Sequence, residues 1–437
     1  MFSRRRFLRA GTIAAGTGFA ALAPALNAEE KSNSLPSSIA SLKSMQDQAR
    51  PITSEEREAR QEKARQLMHA NHLDAFLLME GTSLNYFSGV RWWGGERFFA
   101  LVLPARGRAL CVCPAFEEGR AREQLAATSA GKSADVRVWQ EDQNPYELLA
   151  HGFKDIGLAS ATLGLEETVR FVFTDGITKA ASQFTPQLKI ASGTPVTAGC
   201  RMIKSDHELA LMALANRVTL TAFHAAYQAI REGMTHGDIE DLIISANQRL
   251  GFPGEVDIDI GENSSFPHGS VVPQVIREGV LVLIDGGGPV EGYMSDISRT
   301  FIFGKPSGPL AEKMKKNFEI VHRAQAAALK AARPGAECQA VDAAARKVIT
   351  DAGYGPDYKF FTHRLGHGIG MDGHEWPYLV RGNTQLLAPS MTFSDEPGIY
   401  IRGEFGVRLE DDMHITETGA ELFTPQSPSL EEPFAGS

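Results

Sequence analysis

Five side chains able to bind a hard or borderline cation recur in ordered contexts along the second half of the chain. Asp285 closes the apolar run Leu281-Val282-Leu283-Ile284. Asp296 follows eleven residues later, within Tyr293-Met294-Ser295-Asp296-Ile297-Ser298-Arg299-Thr300. His367 stands in Gly366-His367-Gly368-Ile369-Gly370, Glu396 opens Glu396-Pro397-Gly398-Ile399-Tyr400, and Glu410 precedes Asp411-Asp412. Carboxylate oxygens with one imidazole suit Mn, Co, Zn or Fe(II), and four carboxylates can bridge two such ions. A carboxylate ending a buried strand is costly unless a cation or hydrogen bonds compensate it. Few folds other than a two-metal hydrolase need this set in this order. Gly286-Gly287-Gly288-Pro289 supplies a turn that lets backbone pass close to an ion, so Asp285 and Asp296 fit two ligands on neighbouring hairpin strands. Asp395 and Asp411 flank two of the five and are expected to be solvated or to back up the ligands rather than to bind metal.

The segment from about Arg201 to Phe423 resembles the pita-bread metallopeptidases, the family of methionine aminopeptidase, Xaa-Pro aminopeptidase, Xaa-Pro dipeptidase (prolidase) and creatinase. The resemblance rests on Asp285-Gly286-Gly287, on Gly292-Tyr293 followed by Ser295-Asp296 and Arg299-Thr300, and on the Gly-His-Gly-Ile-Gly, Glu-Pro-Gly-Ile-Tyr and Arg408-Leu409-Glu410-Asp411 runs. It implies that Asp285, Asp296, His367, Glu396 and Glu410 are the metal ligands. It also places histidines around the scissile bond, at His268, His363 and His374, and makes Arg408 a further active-site position. Asp395 departs from the pattern, because relatives often carry a hydrophobic or hydroxyl residue there.

The implied chemistry is hydrolysis by a hydroxide held between two divalent ions, with Mn expected first and Co, Zn or Fe as alternatives. Glu396 is the candidate general base, and His268 and His374 the candidate donors to the substrate carbonyl or oxyanion. Arg408 is expected to pair with a substrate carboxylate or with the ligands. The leading reading is an exopeptidase that frees an N-terminal residue from a following proline, in peptides or dipeptides. A creatinase-like N-terminal half disfavours methionine aminopeptidase, and an intact ligand set disfavours metal-free creatinase. The alternatives are hydrolysis or lysis of a small non-peptide amide or zwitterion on the same fold, and a non-catalytic binding protein.

At 437 residues the chain exceeds one ordinary core and suggests two domains. Residues 1–28, with Arg4-Arg5-Arg6 ahead of an Ala- and Gly-rich stretch, read as a twin-arginine signal peptide cleaved after Ala28 or Ala25. Its removal takes four arginines and no acids, so the net charge of −9 becomes −13, which argues against a nucleic-acid partner. The expected location is the periplasm or outside the cell. No second apolar run of spanning length is expected, so the mature protein should not associate with membrane. Cys111, Cys113, Cys200 and Cys338 lack zinc-type spacing. They read as buried small hydrophobes, although an oxidising compartment permits disulfides.

The elements that must position these residues follow in order. Residues 29–50 read as a polar tether, 51–199 as a creatinase-like N-terminal α/β domain, and 200–437 as the pita-bread catalytic domain. The capping boxes Thr53-Ser54-Glu55-Glu56 and Ser205-Asp206-His207-Glu208 open helices to about Ala70 and about Arg231. Ala225, Ala226, Ala229, Arg231, Gly233 and Gly251 recur 102 residues later as Ala327, Ala328, Ala331, Arg333, Gly335 and Gly353. The repeat predicts a duplicated helix pair on a curved antiparallel sheet, with the metals between the halves. Two adjacent tryptophans, Trp92 and Trp93, cannot both face one core on an extended segment, so one is expected at a substrate or subunit contact. At least a homodimer is expected.

Overall fold

The structure, a computed structural model, describes residues 35–435 apart from Trp93 and Pro306. The proposed signal peptide and the second tryptophan of the pair lie outside the described residues. Both predicted capping boxes form. Thr53 and Ser205 accept from the amides of Glu56 and Glu208, whose side chains accept the cap amides in return. The helices run Ser54–Ala70 and Asp206–Tyr227, the second ending a turn earlier than the pattern suggests.

The N-terminal domain is one mixed sheet. Its strands are β1 (Ala75–Leu78), β2 (Ala100–Pro104), β3 (Leu110–Pro114), β4 (Asp135–Trp139), β5 (Thr162–Leu165) and β6 (Lys189–Ser192), in the order β4-β3-β2-β1-β5-β6. β1, β2 and β3 are fully buried, as continuous apolar runs should be when both faces of a sheet are covered. Trp92 is packed inside, stacked on Phe99 with ring centroids 4.2 Å apart and the Arg120 guanidinium over its face.

The catalytic domain holds three antiparallel sheets. β7 (Glu255–Ile260), β8 (Leu281–Gly287) and β9 (Ile297–Ile302) form the first. β10 (Gly366–Gly368), β11 (Glu375–Leu379), β12 (Thr392–Asp395), β15 (Asp411–Ile415) and β16 (Ala420–Leu422) form the second, in the order β11-β10-β12-β15-β16. β13 (Gly398–Ile401) and β14 (Phe405–Arg408) form a hairpin. A bridge between Ser298 and Glu410, with backbone hydrogen bonds of 3.2 and 3.3 Å, joins the first sheet to the others. Two helix pairs back these sheets, Asp206–Tyr227 with His236–Leu250 and Gly308–Ala331 with Cys338–Asp351. The repeat is visible in the turns. Gly233 and Gly335 have φ of 85° and 79°, and Gly251 and Gly353 have φ of 94° and 93°.

Two expectations are corrected. From Pro36 onward the supposed tether is packed chain. Ile39 is fully buried, Ser38 Oγ donates to Ala225 O at 2.8 Å, and Met45 N donates to Leu250 O at 2.9 Å. Ile39, Leu42, Met45 and Ile52 pack against the first helix pair, an apolar set too sparse to stand out in a polar stretch. Second, an apolar run of spanning length is present after all, in helix Asp206–Tyr227. It is a core helix of the catalytic domain, with its apolar residues buried against the neighbouring helix and sheets.

Candidate metal centre

Each of the five predicted donors lies within a strand or next to one. Asp285 is on β8, paired in register with Ser298 of β9, and Asp296 immediately precedes β9. His367 is the centre of β10, Glu396 follows β12, and Glu410 lies between β14 and β15 at the bridge to Ser298. The glycines around His367 have a steric cause. A Cβ at Gly366 would run into the Ser394 carbonyl, and one at Gly368 into the carbonyls of Glu375 and Trp376, so β10 fits between its neighbours only with glycine on both sides of the imidazole.

The donors converge. Donor atoms of Asp285, Asp296 and Glu410 lie within 4.8 Å of one another, as do those of His367, Glu396 and Glu410, and those of Asp296, His367 and His374. Asp296, Glu410 and His367 each belong to two trios, which puts these three at the middle of the cluster. The side chains of Asp285 and Asp296 are 26% and 24% exposed whereas that of Glu410 is 3% exposed, so the cluster opens on the aspartate side.

The protonation pattern fits cations. His367 Nδ1 faces Gly368 O at 3.0 Å, so that nitrogen carries the proton and Nε2 presents its lone pair, 3.6 Å from Glu396 Oε1 and 3.9 Å from Asp296 Oδ2. Burial, with His374 beside it, pushes His367 down to about 3, which keeps it neutral and able to ligate. Burial raises Glu396 to about 8, the charges of Asp296 and Asp285 adding to it and Arg408 opposing it. Burial and the neighbouring carboxylates likewise push Asp296 and Glu410 well up. Asp285 goes the other way. Burial would raise it, but the Arg408 guanidinium, 2.6 Å away, and the Ser298 hydroxyl hold it below its ordinary value. Four crowded carboxylates with one guanidinium among them are a donor set for divalent cations.

Arg408 therefore pairs with Asp285, one of the expected ligands. It also donates to Ser298 Oγ at 2.9 Å, Pro267 O at 2.9 Å and Tyr400 Oη at 3.1 Å. His363 Nε2 lies 2.8 Å from the same tyrosine oxygen, and its Nδ1 is 3.7 Å from Glu396 Oε2. Arg408, Tyr400 and His363 thus form one hydrogen-bonded line beside Glu396. His374 stacks on His367 with ring centroids 3.6 Å apart. His268 is brought less close. It is exposed, on a loop tied to Arg408 only through Pro267 O, and makes no hydrogen bond to the five donors.

Sequence reasoning gave Asp412 no role and left Asp395 and Asp411 between two. Asp412 accepts the Asp296 amide and Asn216 Nδ2, each at 2.9 Å, and fixes the Asp296 backbone. Asp411 is buried against Arg299, Thr424 and Gln325. Asp395 is also buried, with neither carboxylate oxygen hydrogen-bonded among the described residues, and burial pushes it well up. Of the two expectations for Asp395 and Asp411, solvation is thus excluded. Asp259, buried beneath the His268 loop and raised to about 7 by burial, had no motif to mark it.

Residues 210–417 match metallopeptidase family M24, and residues 60–203 match the creatinase/prolidase N-terminal domain. An Xaa-Pro dipeptidase of Lactobacillus delbrueckii subsp. lactis is 32% identical over 384 residues, which cover 84% of this chain and 97% of that protein. The chain belongs to metallopeptidase family M24. Among solved structures of this family's architecture, dipeptidase PepE from Mycobacterium ulcerans aligns with a TM-score of 0.79 at 31% identity, covering 87% of this chain and 99% of that one. A prolidase from Thermococcus sibiricus aligns at 0.74 and 29% identity, covering 84% and 96%. The M24 chain thus has the creatinase-type N-terminal domain and the pita-bread domain that its motifs imply.

Proposed function

We propose that this M24 chain is a metal-dependent exopeptidase that cleaves between an N-terminal residue and a following proline, with dipeptides as its preferred substrates. One observation carries the reading: four carboxylates and a neutral imidazole converge in a space that holds a single guanidinium. Relatives named Xaa-Pro dipeptidase and prolidase support the substrate class. Asp285, Asp296, His367, Glu396 and Glu410 would hold two divalent ions, Mn being our first choice. Bound there, the ions supply Lewis-acid polarisation of the scissile carbonyl and a water of lowered pKa.

The chain's own groups do the rest. Glu396, ionised once metal is bound, takes the proton of the attacking water and passes it toward the leaving amine. His374, on the rim beside His367, donates to the carbonyl oxygen as charge develops. The line from Arg408 through Tyr400 to His363 keeps the substrate side of Glu396 polar while orienting its neighbours. We also propose export by the twin-arginine route to the periplasm, from the Arg4-Arg5-Arg6 leader. A homodimer or larger assembly is proposed as well, supported by Phe171 and Val172, which stand 81% and 59% exposed on the N-terminal domain.

Steady-state rates on Xaa-Pro dipeptides, longer Xaa-Pro peptides and non-proline dipeptides, with Mn, Co and Zn in turn, test the reaction. Xaa-Pro dipeptides should give the highest kcat/KM, and a metal-loaded protein inert to all Xaa-Pro substrates would refute the reading. Light scattering on leaderless protein tests the assembly, which a monomer would rule out.

A further inference from the structure

The loop that carries His374 is tied to the N-terminal domain and to the interdomain linker by a chain of charge-assisted contacts. Helix Thr82–Ser88 of the N-terminal domain places Thr82 Oγ1 2.5 Å from Asp372 Oδ1. Arg201 closes helix Thr194–Arg201 at the domain junction. Its Nη2 lies 2.6 Å from Asp372 Oδ2 and 2.5 Å from Glu375 Oε2. Lys204, three residues on, reaches the other oxygen, with Nζ 2.6 Å from Glu375 Oε1. Arg201, Lys204 and Glu375 are all buried. Burial alone would raise the Glu375 carboxyl, but the ammonium and the guanidinium outweigh it and keep it ionised. Gly370 leaves the space, since a Cβ there would meet the Glu375 carboxylate.

Asp372 and Glu375 bracket Gly373-His374. The His374 ring is exposed and has no hydrogen bond among the described residues, so its place over His367 depends on the backbone on either side. An apolar cluster would be at least as stable as a buried group of two cations and a carboxylate. What charge-assisted bonds add is direction, because each oxygen of the two carboxylates has one assigned donor.

We propose that Arg201, Lys204 and Thr82 are positioning residues that lock the Asp372–Glu375 segment and so hold the His374 imidazole over His367, making the N-terminal domain and the linker part of the apparatus for turnover. The proposal rests on the peptidase reading only for the catalytic role given to His374.

The test uses Thr82→Val and Asp372→Asn, at the half-exposed end of the chain where folding should survive, alone and in a His374→Ala background. Each single variant should lower kcat on an Xaa-Pro dipeptide between about tenfold and a hundredfold, as small misplacements do, with KM and metal content unchanged. In the His374→Ala background neither should lower kcat further. The imidazole resonance of His374 in 15N-histidine-labelled protein, assigned by its loss in His374→Ala, should shift or broaden in both. Arg201→Lys should keep more of the rate than Arg201→Met. Losses that multiply in the His374→Ala background, or an unmoved imidazole resonance, would overturn the proposal. If the wild type hydrolyses no Xaa-Pro dipeptide, the peptidase reading fails while the resonance still decides whether the clamp positions the ring.

Discussion

Arg408 Nη2 lies 2.6 Å from Asp285 Oδ2, on the open side of a cluster whose other carboxylates have no guanidinium or ammonium closer than 3.9 Å among the described residues. One guanidinium can compensate one carboxylate. Glu396, Asp296 and Glu410 are left to hold protons, which is why burial and mutual repulsion push all three upward while Asp285 alone is held down. Such a cluster should exchange protons for metal.

Metal binding should therefore release protons and weaken as pH falls. Mn titrated into chelated protein in weak buffer should approach two ions per chain with net acidification, and the apparent Kd should be larger at pH 6 than at pH 8, because Glu396 must lose a proton held to about 8. Calorimetry in buffers of different ionisation enthalpy and elemental analysis read both quantities. Proton-neutral binding, or a firm stoichiometry of zero, would contradict the exchange.

Stability of the stripped protein should have the opposite pH slope to that of the loaded one. Burial raises Glu396 and Asp412 to about 8 and Asp259 to about 7, against roughly 4 in an unfolded chain. Folded values above unfolded ones mean that the metal-free fold binds extra protons. That contribution is complete below about pH 4 and is lost as pH rises through 7 and 8. With chelator, Tm should fall between pH 5.5 and 8.5. With saturating metal, which binds better as protons leave, the fall should be abolished or reversed. Parallel slopes in the two conditions would show that the site does not govern this dependence.

Glu396→Gln should retain the shape of the site and lose the base. Its kcat on an Xaa-Pro dipeptide should drop by about 10² to 10⁴-fold, the range for removing a general base. Thermal stability should be kept or raised, since a raised carboxyl has been replaced by a neutral amide. Wild-type turnover with metal bound would remove Glu396 from the role.

The donors were legible in the sequence because each is an ionisable residue inside a short run whose neighbours have few other reasons to be there. Gly366 and Gly368 around His367 report a strand squeezed between two others, and that constraint is local. The rest was hidden because it is not local. Arg201 meets Asp372 and Glu375 across 171 and 174 residues, and Asn216 meets Asp412 across 196, distances over which no spacing rule operates. Ser298 and Tyr400 lay inside quoted motifs, but their bonds to Asp285 and His363 depend on strand register. The packed segment after Pro36 passed for a tether because its four apolar anchors are diluted among serines, glutamines and charged residues.

The cysteines should all be thiols. Cys111, Cys113, Cys200 and Cys338 are buried and unpaired, and Cys111 and Cys113 alternate on β3 so that both face one side. Alkylation after unfolding without reductant should add four groups by intact mass, while the native protein should react slowly. A mass two hydrogens lighter with two groups missing would reveal a disulfide and refute this.

The duplicated helix pairs give a stability prediction in which one copy serves as control for the other. Gly251 and Gly353 end equivalent helices with φ of 94° and 93°, so alanine at either should cost about 1–2 kcal/mol for the left-handed backbone. At Gly353 nothing lies within 4 Å of the added Cβ, and the cost should stop there. At Gly251 the Cβ would meet Gln46 Cγ at 2.5 Å and Ser44 Oγ at 2.8 Å, while Gln46 Nε2 is already committed to Gly251 O at 2.7 Å. Gly251→Ala must therefore also displace the segment after Pro36 and should be clearly the more destabilising of the two in denaturant melts. Removing Gln46 side-chain bulk by Gln46→Ala should narrow the gap. Equal losses at the two glycines would mean that the segment is not docked on this helix pair in solution.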